Sequence, residues 1–554
     1  MKHNINVIST KAVGRMEKSV SRRSFDSALQ ATLKMTGKAV IPAAMAVLCL
    51  LTACDAGFLN INRNPNEVYD EQMNAKNYRT GTMLTKLQSY VVPVEEHLYQ
   101  FCESLSAGPF AGYIGATNTW ENKFETFNPD AHWRKAPFAD VITEAYVPYR
   151  ELAAAADDEV TRAFASVLKV SIMSRVTDYY GPIPYSRLEN NDKIYVAYDS
   201  QEQVYRKMME ELSEASAAFG NNLSLGAESW ASYDKVYYGN ISQWYRYTNS
   251  LKLRLAMRMC YAAPDFSRQM AEEAIAAGII EANADNAMFH PVDNRMDLIY
   301  NSWNDHRVGA DIISYMNGYK DPRREKMFTR PVRDEKYLGI RIGIAPWNKE
   351  WLCAYHSNIL IDANTPYLWM NAAETAFLRA EYELRWGSVE AARQWYETGI
   401  TLSFEEKGVD GAADYMKDNE SKQENYISPL SGEYNCSALS DATIAWKSGD
   451  TRQDMEKNLE KIIVQKWIAI FPLGGEAWAE HRRTGYPKLF PIVCDLSGGT
   501  VNTATGPRRL VYPVEEYDLN RANLDEAVGI LDKENSDAGF KGDLYGTKVW
   551  WDCR

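Results

Sequence analysis

The chain is poor in the residues that build reactive centres. Its eight cysteines, among 554 residues, form no CxxC pair, which excludes a zinc ribbon and a thioredoxin-type redox motif. Its seven histidines include neither HExxH nor HxH. GxSxG, the P-loop and GxGxxG are all missing, so no serine-hydrolase or nucleotide signature is present. No complete EF-hand loop occurs, and neither a metal ion nor a cofactor is expected. Positive charge is also short. The 61 Lys and Arg face 74 Asp and Glu, a net of −13, the wrong sign for coating nucleic acid. No apolar run reaches the ~20 residues of a spanning helix.

What is present is ordinary globular material, 45% apolar and 24% charged, which excludes wholesale disorder. One apolar run stands out. Ala39 to Leu51 is thirteen residues long, the length of a signal-peptide core, and Lys34 and Lys38 precede it. Leu51, Thr52, Ala53 and Cys54 follow the bacterial lipobox pattern, small residues at a cleavage site and then a Cys whose thiol takes a diacylglycerol. Residues 1–53 are therefore expected to be a signal peptide. Met16 or Met35 is a more natural start than Met1, so residues 1–38 read as an N-terminal extension. The expected mature body is anchored to a membrane through lipid on Cys54, which several acyl chains hold stably. The leading 53 residues carry eight basic and two acidic side chains, so the remainder carries a formal −19. Six cysteines remain beyond Cys54, with no spacing that demands disulfides.

Residues 54–70 read as a lipidated Cys and an extended lead-in, with a turn at Asn64, Pro65 and Asn66. Residues 71–554 read as one helical domain. Helical spacing covers Asn74–Cys102, Glu144–Val176, Tyr205–Phe219 and Asn240–Tyr261. The last of these carries a stripe of Trp244, Tyr247, Leu251, Leu255 and Met259 that reads as core. Ala271 to Ile279 and Ala392 to Ile400 share A-x-x-x-[I/Y]-x-x-G-I, a weak internal repeat. The second copy follows a helix over Asn371–Trp386, with Gly387 expected to end it in left-handed geometry and Ser388 to cap the next. Helix, tight turn, helix is the tetratricopeptide-type hairpin, so the fold class is expected to be predominantly all-α. Three segments, near 108–137, 292–366 and 405–450, read as long irregular loops decorating that scaffold.

Phe58 to Asn62 with Asn64-Pro65-Asn66 opens a series of motifs, and Asp178 to Tyr185 (DYYGPIPY) has the form D-x-Y-G-x-I-P-Y. Asp321-Pro322-Arg323, Tyr337-x-Gly339 and Ala373-Glu374 with Leu378 to Glu381 follow. Gln465-Lys466-Trp467, Glu476-x-Trp478, the run Arg482 to Pro487, the stretch Arg509 to Asn523 and Lys548 to Asp552 complete the series. In order and spacing, these motifs resemble the start, the loop, the internal landmarks and a helix of the SusD/RagB family of nutrient-binding outer-membrane lipoproteins. The resemblance covers nearly the whole mature chain. It implies a tetratricopeptide-like scaffold that works as a lid on a SusC-like TonB-dependent transporter, capturing oligosaccharides or, in some members, peptides, without catalysis. The Asp55-Ala56-Gly57 that follows Cys54 lacks the acidic cluster often linked to surface export.

A sugar ring offers a face of C–H groups and a rim of hydroxyls, which aromatic planes and amide or carboxylate groups satisfy respectively. Asn118-Thr119-Trp120-Glu121-Asn122-Lys123 and Asn301-Ser302-Trp303-Asn304-Asp305 hold both kinds within irregular segments. Trp120 and Trp303 are the first candidate platforms, with Asn118 and Asn301 beside them; Trp133, Trp347 and Tyr113 come second. Each Trp could instead staple its loop to the scaffold. Glu476 and Glu480, at i and i+4, could form an acid/base pair, but Arg482 or Arg483 can neutralise them. Tyr179-Tyr180-Gly181-Pro182 reads as a structural loop. A surface hydrolase remains the competing class, because glycosidase carboxylates carry no local signature.

Overall fold

The structure is a computed structural model that describes residues 77–188, 195–226, 228, 230–535 and 539–554. Cys54, the apolar run before it and the 54–70 lead-in lie outside the described residues. Asn74–Arg554 forms one compact unit.

Local chemistry starts most of the helices. The helices α1 (Tyr78–Gln88), α2 (Val141–Ala154), α3 (Glu159–Tyr180), α4 (Gln201–Asn221), α5 (Ile241–Arg258) and α6 (Pro264–Ala277) build the first half. Asp158 caps α3 by accepting the Thr161 amide at 2.8 Å, and Ser200 and Gln203 form a capping box on α4. Each such cap contributes about 1 kcal/mol. α3 packs on α4, α4 on α5 and α5 on α6, an array of successive hairpins. The predicted stripe of α5 is buried throughout, from Trp244 to Met259.

After α7 (Ala310–Gly318), the second half is built from α8 (Ala372–Trp386), α9 (Val389–Lys407), α10 (Arg452–Ala469), α11 (Gly474–Thr484) and α12 (Arg521–Glu534). Asn371 and Ser388 cap α8 and α9 through the amides of Glu374 and Ala391. The α8–α9 pair is the tightest hairpin, because Gly399 of α9 lies against Phe377 of α8. A Cβ on Gly399 would stand 2.6 Å from the Phe377 ring.

The two repeat copies differ here. Gly278 lies beyond the end of α6 at φ 104° with open space around it, whereas Gly399 sits inside α9. The shared spacing marks a helix stop in one copy and a helix crossing in the other. Gly387 also departs from expectation. It is not left-handed (φ −109°), but a Cβ there would fall 1.8 Å from a Glu383 carboxylate oxygen.

Other boundaries shift for visible reasons. The helix expected over Asn74–Cys102 breaks after Gln88 in turns leading to Pro93, resumes at Glu96–Tyr99, and widens into a π-helical stretch over Gln100–Ala107. The span Glu144–Val176 is two helices, split just before Asp158. Residues 108–137 are not free of helix. Ala131–Lys135 is helical and runs without a break into a π-turn over Ala136–Asp140, with Pro137 inside the helical run, where its missing amide accompanies the widened turn. Residues 292–366 likewise contain α7 and a short helix at Lys349–Tyr355, capped by Asn348. Residues 405–450 are largely irregular after α9 ends at Lys407.

Four short strands complete the described residues. β1 (Ile114–Ala116) pairs antiparallel with β3 (His306–Val308), aligning Ile114 with Val308 and Ala116 with His306. β2 (Ala287–Phe289) pairs with β4 (Tyr367–Met370). One continuous apolar core runs from Leu84 to Trp551.

Candidate functional site

The β1–β3 pairing draws two distant loops together. Immediately beyond Ala116, the Thr117 amide donates to the Asp305 carbonyl at 2.9 Å. Asn118 Nδ2 donates to Asp305 Oδ1 at 2.6 Å, and Lys349 Nζ reaches the same oxygen at 2.8 Å. Gln100 Nε2 donates to Asp305 Oδ2 at 2.9 Å. Asp305 thus ties together the loops that carry Trp120, Trp303 and Trp347. A second tie lies behind it: Lys123 donates to the Ile344 carbonyl at 3.0 Å, and Glu125 accepts the amides of Ala116 and Gly343.

Burial pushes the Asp305 carboxyl up, but its bonds from Lys349, Asn118 and Gln100 outweigh this and hold it below the ordinary range. His306 is fully buried, and desolvation lowers it to about 4, so it is neutral at pH 7. The Asp305 charge is offset by Lys349, and beside it the buried Arg307 is bonded to the His306 carbonyl at 2.8 Å and to Asn304 Oδ1 at 2.8 Å, with no carboxylate partner among the described residues.

The aromatic candidates occupy different depths. Trp347 is 51% exposed, Trp120 and Trp303 are half-buried, and Trp133 is buried. Trp120 meets Trp133 edge-on at 5.2 Å, so Trp133 is the backing on which Trp120 stands, itself packed on Phe101. Trp303 stacks on His97 at 5.4 Å and 25°, leaving its other face uncommitted to that partner. Tyr113 is a correction. It is 1% exposed, its hydroxyl donates to the Trp467 carbonyl, and its ring stacks on Trp467, so it offers no surface to a ligand. Asn301 is also mainly a strut. Both its amide hydrogens are committed, to Asp297 at 2.7 Å and the Ile361 carbonyl at 2.9 Å. Asn118 retains its amide oxygen, to which no group among the described residues donates.

Sequence reasoning missed His97, Lys349 and Gln100 as parts of this corner. Lys349 had one available signal, its place two residues after Trp347. Glu95, Glu96 and His97 lie close enough to share an ion, but Glu96 makes a bidentate pair with Arg295 at 3.0 Å and Glu95 caps the Leu98 amide at 2.7 Å.

Glu476 and Glu480 belong to a buried charge network. Arg258 pairs with both, Lys466 reaches Glu476 at 2.8 Å, and Arg483 bridges Glu480 and Glu381 at 2.6 Å. Burial alone would raise the carboxyls. The surrounding cations overcome it, holding Glu476 at about 2 and Glu480 lower still. Neither can act as an acid near neutrality. Arg483 is a neutraliser as expected, but Arg482 is not: it braces the carbonyls of Asp178 and Arg508 between the Trp478 and Trp551 rings. The Asp178–Tyr185 loop is equally structural, with Asp178 accepting from Tyr205 and Trp551, and Pro182 accepting from Tyr512 at 2.6 Å.

Residues 60–552 match the SusD-like family, described as Susd and RagB outer membrane lipoprotein. The chain belongs to this family. No curated protein matches it. Among solved structures, a SusD homologue from Bacteroides thetaiotaomicron is 48% identical with a TM-score of 0.81, covering 86% of this chain and 100% of its own. A homologue from Bacteroides ovatus is 39% identical, with a TM-score of 0.81 and coverages of 86% and 99%. A chitin-binding SusD homologue from Flavobacterium johnsoniae is 33% identical, with a TM-score of 0.80 and coverages of 86% and 99%. These SusD homologues carry the same predominantly helical fold. Among the described residues, no helix is long and apolar enough to cross a membrane.

Proposed function

We propose that this SusD-like protein captures a neutral glycan at the cell surface and delivers it to a SusC-like TonB-dependent transporter, without catalysis. The observation that carries the reading is the convergence on Asp305 of three loops bearing Trp120, Trp303 and Trp347. It gives stacking surfaces beside the amide oxygen of Asn118, with the Asp305 charge offset by Lys349. A chitin-binding relative supports a glycan as the ligand. The buried, ion-paired state of Glu476 and Glu480 speaks against hydrolysis by that pair. The anchor is lipid on Cys54, and the lipid-bearing body faces outward.

Native affinity electrophoresis of the purified protein in a panel of neutral and acidic polysaccharides tests the ligand. Retardation by a neutral glycan with no shortened products supports the reading; hydrolysis products contradict it. Binding only to peptides moves the protein to the peptide-capturing alternative. Co-purification of a transporter barrel from native membranes tests the partner, and its absence removes the delivery step.

A further inference from the structure

An open pocket of about 710 Å³ is lined by the end of α8, the turn between α5 and α6, the start of α10 and Arg554. At ~30 Å³ per water it equals roughly 24 waters, and a disaccharide of two hexoses has about that many non-hydrogen atoms. The pocket is remote from the tryptophan corner. Met455 lines it at the start of α10, whereas Trp467, near the other end, stacks on Tyr113 beside β1. Twelve helical residues at about 1.5 Å each put roughly 18 Å between them.

One wall of the pocket is fixed by several bonds. Tyr261 Oη accepts from Arg385 at 2.6 Å and from Arg554 at 3.1 Å, and both guanidiniums lie over its ring, 4.3 and 5.5 Å from the centroid. Glu381 holds Arg385 at 2.7 Å and Glu456 holds Arg554 at 2.6 Å. The two accepted bonds fill the lone pairs of the phenol, and its own hydrogen goes to no described residue. Other groups lining the space are equally uncommitted. Arg452 and Asp450 are exposed and make no ion pair among the described residues. Glu456 Oε1 accepts from Tyr486 and Arg554, while no described residue donates to its other oxygen. Trp386 is half-buried, tilted 59° to Tyr382 at 5.4 Å, and its indole N–H has no acceptor among the described residues.

Both signs of charge line the same space, so an ion of either sign meets repulsion there. A ring bearing several hydroxyls does not: each hydroxyl donates and accepts, and its C–H face packs on an aromatic ring. We infer that this pocket is a second carbohydrate site, which takes a neutral pyranose disaccharide with one ring against Trp386. Its hydroxyls donate to Asp450 and Glu456 and accept from Arg452 and Tyr261. The site stands on its own residues and does not depend on the reading of the tryptophan corner.

Fluorine NMR of the purified protein labelled with fluorotryptophan tests the inference, the Trp386 signal being the one lost in Trp386→Phe. Maltose, cellobiose, lactose and N,N′-diacetylchitobiose are titrated in turn. At least one is expected to move the Trp386 signal saturably. Arg452→Ala and Asp450→Ala, at exposed positions that make no ion pair, should each weaken that response at least fivefold, and Trp347→Ala should leave it unchanged. A Trp386 signal that none of the four sugars moves would overturn the assignment. So would a response that survives Arg452→Ala and Asp450→Ala combined. The signals of Trp120, Trp303 and Trp347 report the corner separately. Their silence while Trp386 responds would contradict the corner and support this site; the reverse would contradict this site alone.

Discussion

Asn118 donates its side-chain amide to Asp305 at 2.6 Å across 187 residues of sequence. Lys349 and Gln100 complete a set of three donors on the same carboxylate, so one side chain sets the relative positions of three tryptophan-bearing loops.

Replacing that carboxylate should uncouple the loops. Asp305→Ala is expected to lower glycan affinity at least fivefold and to cost about 1–3 kcal/mol of stability, since the buried Gln100 amide loses its acceptor. Asp305→Asn keeps an acceptor for Gln100 and should recover most of the stability. Titration with the retarded glycan and urea unfolding separate the two effects. Unchanged affinity in Asp305→Ala would show that the loops hold their places without this tie.

The buried charge network should behave as scaffold. Arg258→Met removes one of the two cations shared by Glu476 and Glu480, the other being Lys466, and should destabilise the protein by about 3–5 kcal/mol, read as a lowered urea midpoint. A variant with unaltered stability would contradict the assignment of this network to the fold.

The two repeat glycines should fail differently. Gly399→Ala drives a methyl group into Phe377 and is expected to cost about 1–3 kcal/mol by overpacking. Gly278→Ala meets no neighbour, but its φ of 104° disfavours any side chain, so a cost of roughly 1 kcal/mol is expected from the backbone alone. Pairing Gly399→Ala with Phe377→Leu should recover stability, whereas the same partner change should lower that of Gly278→Ala further, because it only opens space in the core. Thermal unfolding of the four variants checks this.

His356 gives a signed pH dependence. It is 3% exposed, and desolvation lowers it from 6.5 to about 4. The unfolded chain therefore takes a proton near pH 6.5 that the folded chain refuses until about pH 4. The contribution of neutral His356 is complete above pH 6.5 and is lost progressively as pH falls toward 4. His356→Asn should reduce the loss of stability between pH 7 and 4.5 by roughly 2–3 kcal/mol relative to the parent protein. Comparing variant with parent isolates this group from Glu103, Asp178 and Asp311, whose raised carboxyls act in the opposite sense. Identical pH profiles would contradict it.

Much of the scaffold was legible because its signals are local. The caps at Asn371 and Ser388, the buried face of α5 and the loop at Asp178–Tyr185 all follow from residues within a few positions of one another. The tryptophan corner was legible only in part. Trp120 and Trp303 stood out because Gly, Pro and Asn around them excluded long helices. The meeting of their loops depends on a three-residue strand pair, too short to leave a period in the sequence. Tyr113 misled for the same reason: it lies beside that pair and points its hydroxyl at a carbonyl on α10, a contact spanning 354 residues. The split of Asn74–Cys102 had a local cue in Pro93. The different duties of Gly278 and Gly399 had none, since both sit in the same motif.

The most direct test of the account is the dissociation constant of one retarded neutral glycan for the parent protein and for Trp120→Ala, Trp303→Ala and Trp347→Ala. Trp347 is the most exposed of the three, so its removal should leave the fold intact. The account predicts a loss of roughly tenfold or more in each variant, about 1.4 kcal/mol per step, with unfolding temperature unchanged in Trp347→Ala. Binding that is undiminished in all three would contradict the assignment of this corner as the glycan site.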